Sequence, residues 1–280
     1  MELSLMRNIT CFVFFTLTFF AVTGSYAEEE SFPGRSLEKY SMVSVIELED
    51  LYQRRDEFTI VDVRSSFEFD TLRIKGAVNI PVGVEGFDSA VRGLREQTGK
   101  PIAFYCNGHT CLKSYKATKQ AMTTGLDKVY AYDAGIFYWA RAYPDEAELL
   151  GKSPVDAAHL IPKKAFKRRQ LDPDTFSDKA TSIASRSRMI IDIRDTFQRA
   201  GVGFFPAIEH WASLQNMEKL RKYLDKAKAQ NRTLFIYDNV GKQVRWLQYE
   251  LEARGLKNYW FLEKGAKGYY DMLISGEGLR

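Results

Sequence analysis

The chain has 280 residues, 45% hydrophobic and 27% charged, a balance that suits packed cores and points to two domains of ordinary size. Its net charge of +4 is too mild to imply a nucleic-acid partner. Three cysteines are too few for a scaffold stapled by disulfides.

The N-terminus reads as an export signal. Arg7 precedes an uncharged, largely apolar run from Ile9 to Val22, and Ser25-Tyr26-Ala27 sets small residues at a cleavage site before Glu28-Glu29-Glu30. The run falls short of the roughly 20 apolar residues that a membrane span needs. Residues 1–27 are therefore expected to be removed, leaving a periplasmic or secreted protein with no membrane attachment, and residues 28–40 form an N-terminal extension. Cleavage removes Cys11 and leaves Cys106 and Cys111, which are placed for chemistry rather than for scaffolding.

From Phe58 to Val63 the chain is a short apolar run rich in β-branched residues, as in a strand buried on both faces. Ala77–Ile80 is a second strand, stopped by Pro81, and Pro101–Tyr105 a third, which leads into Cys106-Asn107-Gly108-His109-Thr110-Cys111. Leu112–Thr124 contains no Gly or Pro and predicts a helix ended at Gly125. A strand at Lys128–Tyr132 and a short helix from Ile136 follow. Residues 148–170, with Lys163-Lys164-Ala165-Phe166-Lys167-Arg168-Arg169, read as a solvated linker. Beyond it the pattern returns, with a strand at Thr233–Tyr237 and a helix at Val244–Arg254.

The two halves repeat each other. Ile60-Val61-Asp62-Val63-Arg64 matches Ile190-Ile191-Asp192-Ile193-Arg194, and Gly125-Leu126 matches Gly255-Leu256, both 130 positions apart. Gly135 and Gly265 keep that spacing, each with an aromatic four residues on (Trp139, Tyr269). Phe104-Tyr105-Cys106 falls against Ile236-Tyr237-Asp238. Alternating strands and helices predict an α/β fold, a parallel sheet flanked by helices on both faces in each half.

Cys106 follows a buried strand and precedes a helix, the place where open parallel sheets bind ligands. Backbone N–H groups of a tight loop, with the helix N-terminus, would favour a thiolate there. Gly108 is expected to supply a positive φ for the turn. His109 is a candidate donor to substrate, although a loop histidine is often merely solvated. His159 and His210 have no neighbours at metal-ligand spacing, and neither a metal nor a cofactor is expected.

The series Asp62-Val63-Arg64, Ile74-Lys75-Gly76-Ala77-Val78-Asn79-Ile80-Pro81, strand-Cys106-loop-helix, Gly135 and Trp139 resembles the rhodanese family of sulfurtransferases. The resemblance covers about 90 residues of the first half, with a weaker copy in the second. It implies two tandem rhodanese-like domains, residues 41–147 with the active Cys and 171–280 without it. It also implies that Cys106 takes sulfane sulfur as a persulfide from a thiosulfate-like or persulfide donor and passes it to a thiophilic acceptor, small molecule or protein. Asn107, Gly108, His109, Thr110 and Cys111 would cradle that sulfur, and Asp62 and Arg64 would tie strand to loop. Phosphatase relatives use a longer loop closed by Arg; here Leu112 stands at that point. Asp238 cannot carry a persulfide, so the second half is expected to be silent in transfer. The competing reading is an exported redox-sensing or sulfur-carrier protein, in which Cys106 and Cys111 cycle between dithiol and disulfide with little turnover.

Overall fold

The computed structural model describes residues 31–200 and 203–275; the expected signal segment lies outside them. The first half holds β1 (Thr59–Asp62), β2 (Leu72–Ile74), β3 (Val78–Asn79), β4 (Ile102–Tyr105), β5 (Val129–Tyr132) and β6 (Ala147–Leu149). The second holds β7 (Gln170–Leu171), β8 (Arg188–Asp192), β9 (Glu209–Trp211), β10 (Thr233–Tyr237) and β11 (Tyr259–Leu262). Two parallel sheets result, ordered β3-β1-β4-β5 and β9-β8-β10-β11-β7. A parallel bridge from Val45 to Ala131 stands beside β5 where β7 stands beside β11, so the two orders agree. A small antiparallel ribbon joins β2 to β6.

Apolar runs become central strands here because both of their faces are covered. Val61 and Phe104 pack against Phe87 and Val91 of the helix Phe87–Thr98 and Ala117 and Ala121 of the helix Lys113–Thr123. Ile60, Ala103 and Tyr105, alternating with them, face Leu51, Ile136 and Trp139. In the second half Phe235 and Tyr237 meet Phe176 of the helix Pro173–Ser182, while Leu234 and Ile236 meet Leu220 and Leu224 of the helix Met217–Ala229. The expected α/β class, with helices on both faces of each parallel sheet, is the observed one. Among the described residues no helix is long and apolar enough to cross a membrane.

The segment expected to be a solvated linker is packed. Val155, Leu160, Ile161 and Phe166 are buried in an apolar cluster that runs through both halves. Only the polar side of the short helix Lys163–Lys167 meets water, because Phe166 turns inward. The halves also meet directly. The ring of Trp246, on the helix Val244–Ala253, stacks on Phe137 at 5.4 Å and lies 4.9 Å from the Arg64 guanidinium.

Candidate active site

β4 delivers Cys106 to the C-terminal edge of the first sheet, and the loop after it folds back. The Cys111 amide donates to the Gly108 carbonyl at 2.7 Å, and the Ile136 amide to the Cys106 carbonyl at 3.0 Å. The glycine that the loop requires is Gly135, not Gly108. Gly108 has no positive φ, whereas Gly135 has φ +74° and a Cβ there would lie 2.4 Å from the Gly108 amide nitrogen. The close approach comes from a distant turn, which inspection of the loop alone does not reveal. Gly135→Ala is therefore expected to lower stability by about 2 kcal/mol or more, through strain and backbone overlap together. Gly125 has φ +86° but open space around a Cβ, and Gly125→Ala should cost only about 1 kcal/mol. Urea unfolding of the two variants checks this; equal losses would refute the role given to Gly135.

A polar chain of contacts holds the loop. Asp62 and Arg64 form a fully buried ion pair, with Nε to Oδ1 at 2.9 Å. Arg64 Nη1 donates to Asn107 Oδ1 at 3.1 Å, and Asn107 Nδ2 donates to Glu68 Oε1 at 3.1 Å. Glu68 also closes a capping box with Ser65 and lies 3.7 Å from Lys113 Nζ. Burial opposes its charge, yet Lys113 and Arg64 hold the carboxyl below its usual range. Glu68 is thus a positioning residue for Asn107.

The two thiols differ sharply. Cys106 is completely buried, its Sγ 3.1 Å from the Cys111 carbonyl oxygen and 3.7 Å from Ser114 Oγ. Burial, then the contact with Cys111, pushes the Cys106 thiol well up, against the pull of the Ser114 amide. Cys111 receives the Cys106 hydrogen bond and, against a smaller cost of burial, the backbone amides of Lys113 and Asn107, which bring it down to about 6. Burial thus opposes the readily deprotonated Cys106 that the sequence suggests, while the loop amides favour a negative charge on Cys111. Both cysteines are free thiols.

A cleft of about 640 Å³ opens beside the loop. Asn107, Thr110 and Cys111 line it; Cys106, Gly108 and His109 do not. His109 is instead packed edge-on between Phe32 and Tyr138, with its Nδ1 buried and without a hydrogen-bond partner. The cleft wall also includes Lys163, Lys167, Lys242 and Arg245, which no local pattern in the sequence brings together.

The corresponding loop of the second half holds Asp238, which is buried. Its carboxylate accepts from the amides of Val240 at 2.9 Å, Gly241, Gln243 at 2.5 Å and Val244 at 3.0 Å. Burial raises its pKa, and these four amides pull it back. Gly265, with φ +61°, crosses this loop as Gly135 crosses the other, since its Cβ would lie 2.5 Å from the Asp238 carbonyl oxygen.

Residues 45–142 match the family model described as Rhodanese-like domain. This stretch, from before β1 through the Cys106 loop and past Gly135, is similar to a rhodanese-like domain. Over 83 residues it is 32% identical to a tRNA uridine(34) hydroxylase from Cytophaga hutchinsonii, covering 29% of this chain and 26% of that protein. Over 96 residues it is 36% identical to an HTH-type transcriptional regulator from Mycobacterium tuberculosis, covering 33% of this chain and 40% of that protein. The chain thus spans well under half the length of either relative. Among solved structures it is similar to a thiosulfate sulfurtransferase from Pseudomonas aeruginosa, at 18% identity and TM-score 0.35, over 85% of this chain and 46% of that one. A rhodanese-related protein from Thermoplasma volcanium aligns at 25% identity and TM-score 0.29, over 36% of this chain and 93% of that one. The matched residues contain the whole of the Cys106 loop and Gly135, whereas the cleft beside the loop is also walled by Lys163, Lys167, Lys242 and Arg245, which lie outside the match.

Proposed function

We propose that the protein is a sulfurtransferase that carries sulfane sulfur on Cys106. The observation that carries this reading is the pair of matching loops. In the second half four amides converge on an anion, the Asp238 carboxylate, and the first half places a sulfur at the corresponding position. In the first half the amides of Lys113 and Asn107 lower the Cys111 thiol to about 6, which would supply beside Cys106 the anion and proton acceptor that sulfur transfer requires. The Cys106 proton passes to the Cys111 thiolate, and Cys106 Sγ attacks the sulfane sulfur of a donor such as thiosulfate. The donor bond breaks with its electron pair on the leaving sulfite, and a Cys106 persulfide remains. A thiophilic acceptor then takes the outer sulfur and returns Cys106 as a thiolate, a ping-pong sequence.

On this reading the second half is a sister domain without sulfur chemistry, and the protein works outside the cytoplasm after losing residues 1–27. One mass-spectrometry experiment tests all of this. Protein from its native source should begin at Glu28 and, after incubation with thiosulfate, gain one sulfur atom located at Cys106. Gain of the sulfur elsewhere would overturn the site. No gain of sulfur from thiosulfate, with only a loss of two hydrogens on oxidation, would favour the redox reading instead.

A further inference from the structure

We propose that the cleft beside Cys111 is the binding site for a small thiol that carries two or more oxyanion groups. This assigns the acceptor class and rests on the sulfur-transfer reading above. Six cationic side chains from three separate parts of the chain line this one cavity: Lys113 and Lys116 after the Cys loop, Lys163 and Lys167 from the connecting helix, and Lys242 and Arg245 from the second half. Glu68 is the only acid among the lining residues, and its oxygens are already engaged by Ser65, Asn107 and Lys113. Among the described residues none of the other five cations has an ion pair.

Arg245 is the most telling of the six. Its guanidinium lies 4.7 Å from the Phe137 ring, and its buried Nε has no hydrogen-bond partner. A buried donor left unsatisfied costs free energy that an acceptor from outside would recover. Burial also lowers the pKa of Arg245, the direction that a bound anion would reverse. The volume of about 640 Å³ suits a small molecule. The bound thiolate would attack the outer sulfur of the Cys106 persulfide. One S–S bond breaks, leaving its electron pair on Cys106, and one forms on the acceptor, so no outside oxidant or reductant is needed.

Titration calorimetry on the full chain tests the site with probes that cannot accept sulfur. S-methyl-coenzyme A carries phosphates, S-methylglutathione carries carboxylates, and S-methylpantetheine is neutral. At least one anionic probe should bind about ten-fold more tightly than the neutral one, and its affinity should fall about five-fold between roughly 50 and 300 mM NaCl. Tighter binding of the first assigns phosphate groups; tighter binding of the second assigns carboxylates. Lys163→Gln/Lys167→Gln, both at exposed positions, and separately Arg245→Gln, should each weaken that binding by about five-fold. Equal binding of all three probes, or unchanged affinity in the lysine double variant, would overturn the proposal. Anion-selective binding by a protein that gains no sulfur from thiosulfate supports this site and overturns only the sulfur-transfer reading.

Discussion

Cys106→Ser is expected to lower the rate of sulfur transfer from thiosulfate by roughly a thousand-fold or more, with the fold retained. The replacement is close in size, and the site is buried among Val61, Phe104 and Ala117, so the packing around it should survive. A serine hydroxyl is not ionised near neutral pH and cannot form a persulfide. Steady-state transfer to a thiol acceptor, with circular dichroism as the check on folding, decides the matter. Full activity in a folded Cys106→Ser protein would remove the catalytic assignment.

Cys111→Ser should move the pH dependence rather than abolish the reaction. The loop lowers the Cys111 thiol to about 6, so the pair is expected to lose its first proton near that value. Below that value the thiolate fraction should fall about ten-fold per pH unit. Above it the pair would be a monoanion, and on the proposed mechanism a proton transfer within the loop makes Cys106 the thiolate. The rising limb of kcat/KM is therefore expected near that value. Without Cys111 the proton must leave Cys106 itself, whose thiol burial holds well up. The limb should shift upward by about one pH unit or more, and the rate at neutral pH should fall by about ten-fold or more. An unshifted limb would show that Cys111 takes no part.

The layout of strands was legible because buried parallel strands leave continuous apolar runs, and Cys106 and Asp238 stand at the ends of two of them. Asp62 pairs with Tyr105, and Asp192 with Tyr237, each immediately before the corresponding loop. What stayed hidden depended on tertiary contact. The positive φ needed near the loop was placed on Gly108 because Gly108 is local, while Gly135 arrives from another turn. Glu68 carries no local sign that it reaches the Cys loop, although Ser65 three residues before it spells a capping box. Lys163, Lys167, Lys242 and Arg245 carry no periodic signal. They share a cleft because Phe166 and Trp246 are buried in the cluster common to both halves.

The carboxylate of Asp238 has a consequence for the other half. Its partners at Gln243 and Val244 are the first amides of the helix whose residues Arg245 and Trp246 form one wall of the Cys111 cleft. A charge at the start of a helix steadies that end. Had this position kept a sulfur that gained and lost a second atom, the wall would be disturbed at every cycle of its own chemistry. The four amide contacts of Asp238 instead tie this wall to the second half's own loop, so on the proposed function the second half would serve as a fixed jaw opposite Cys106.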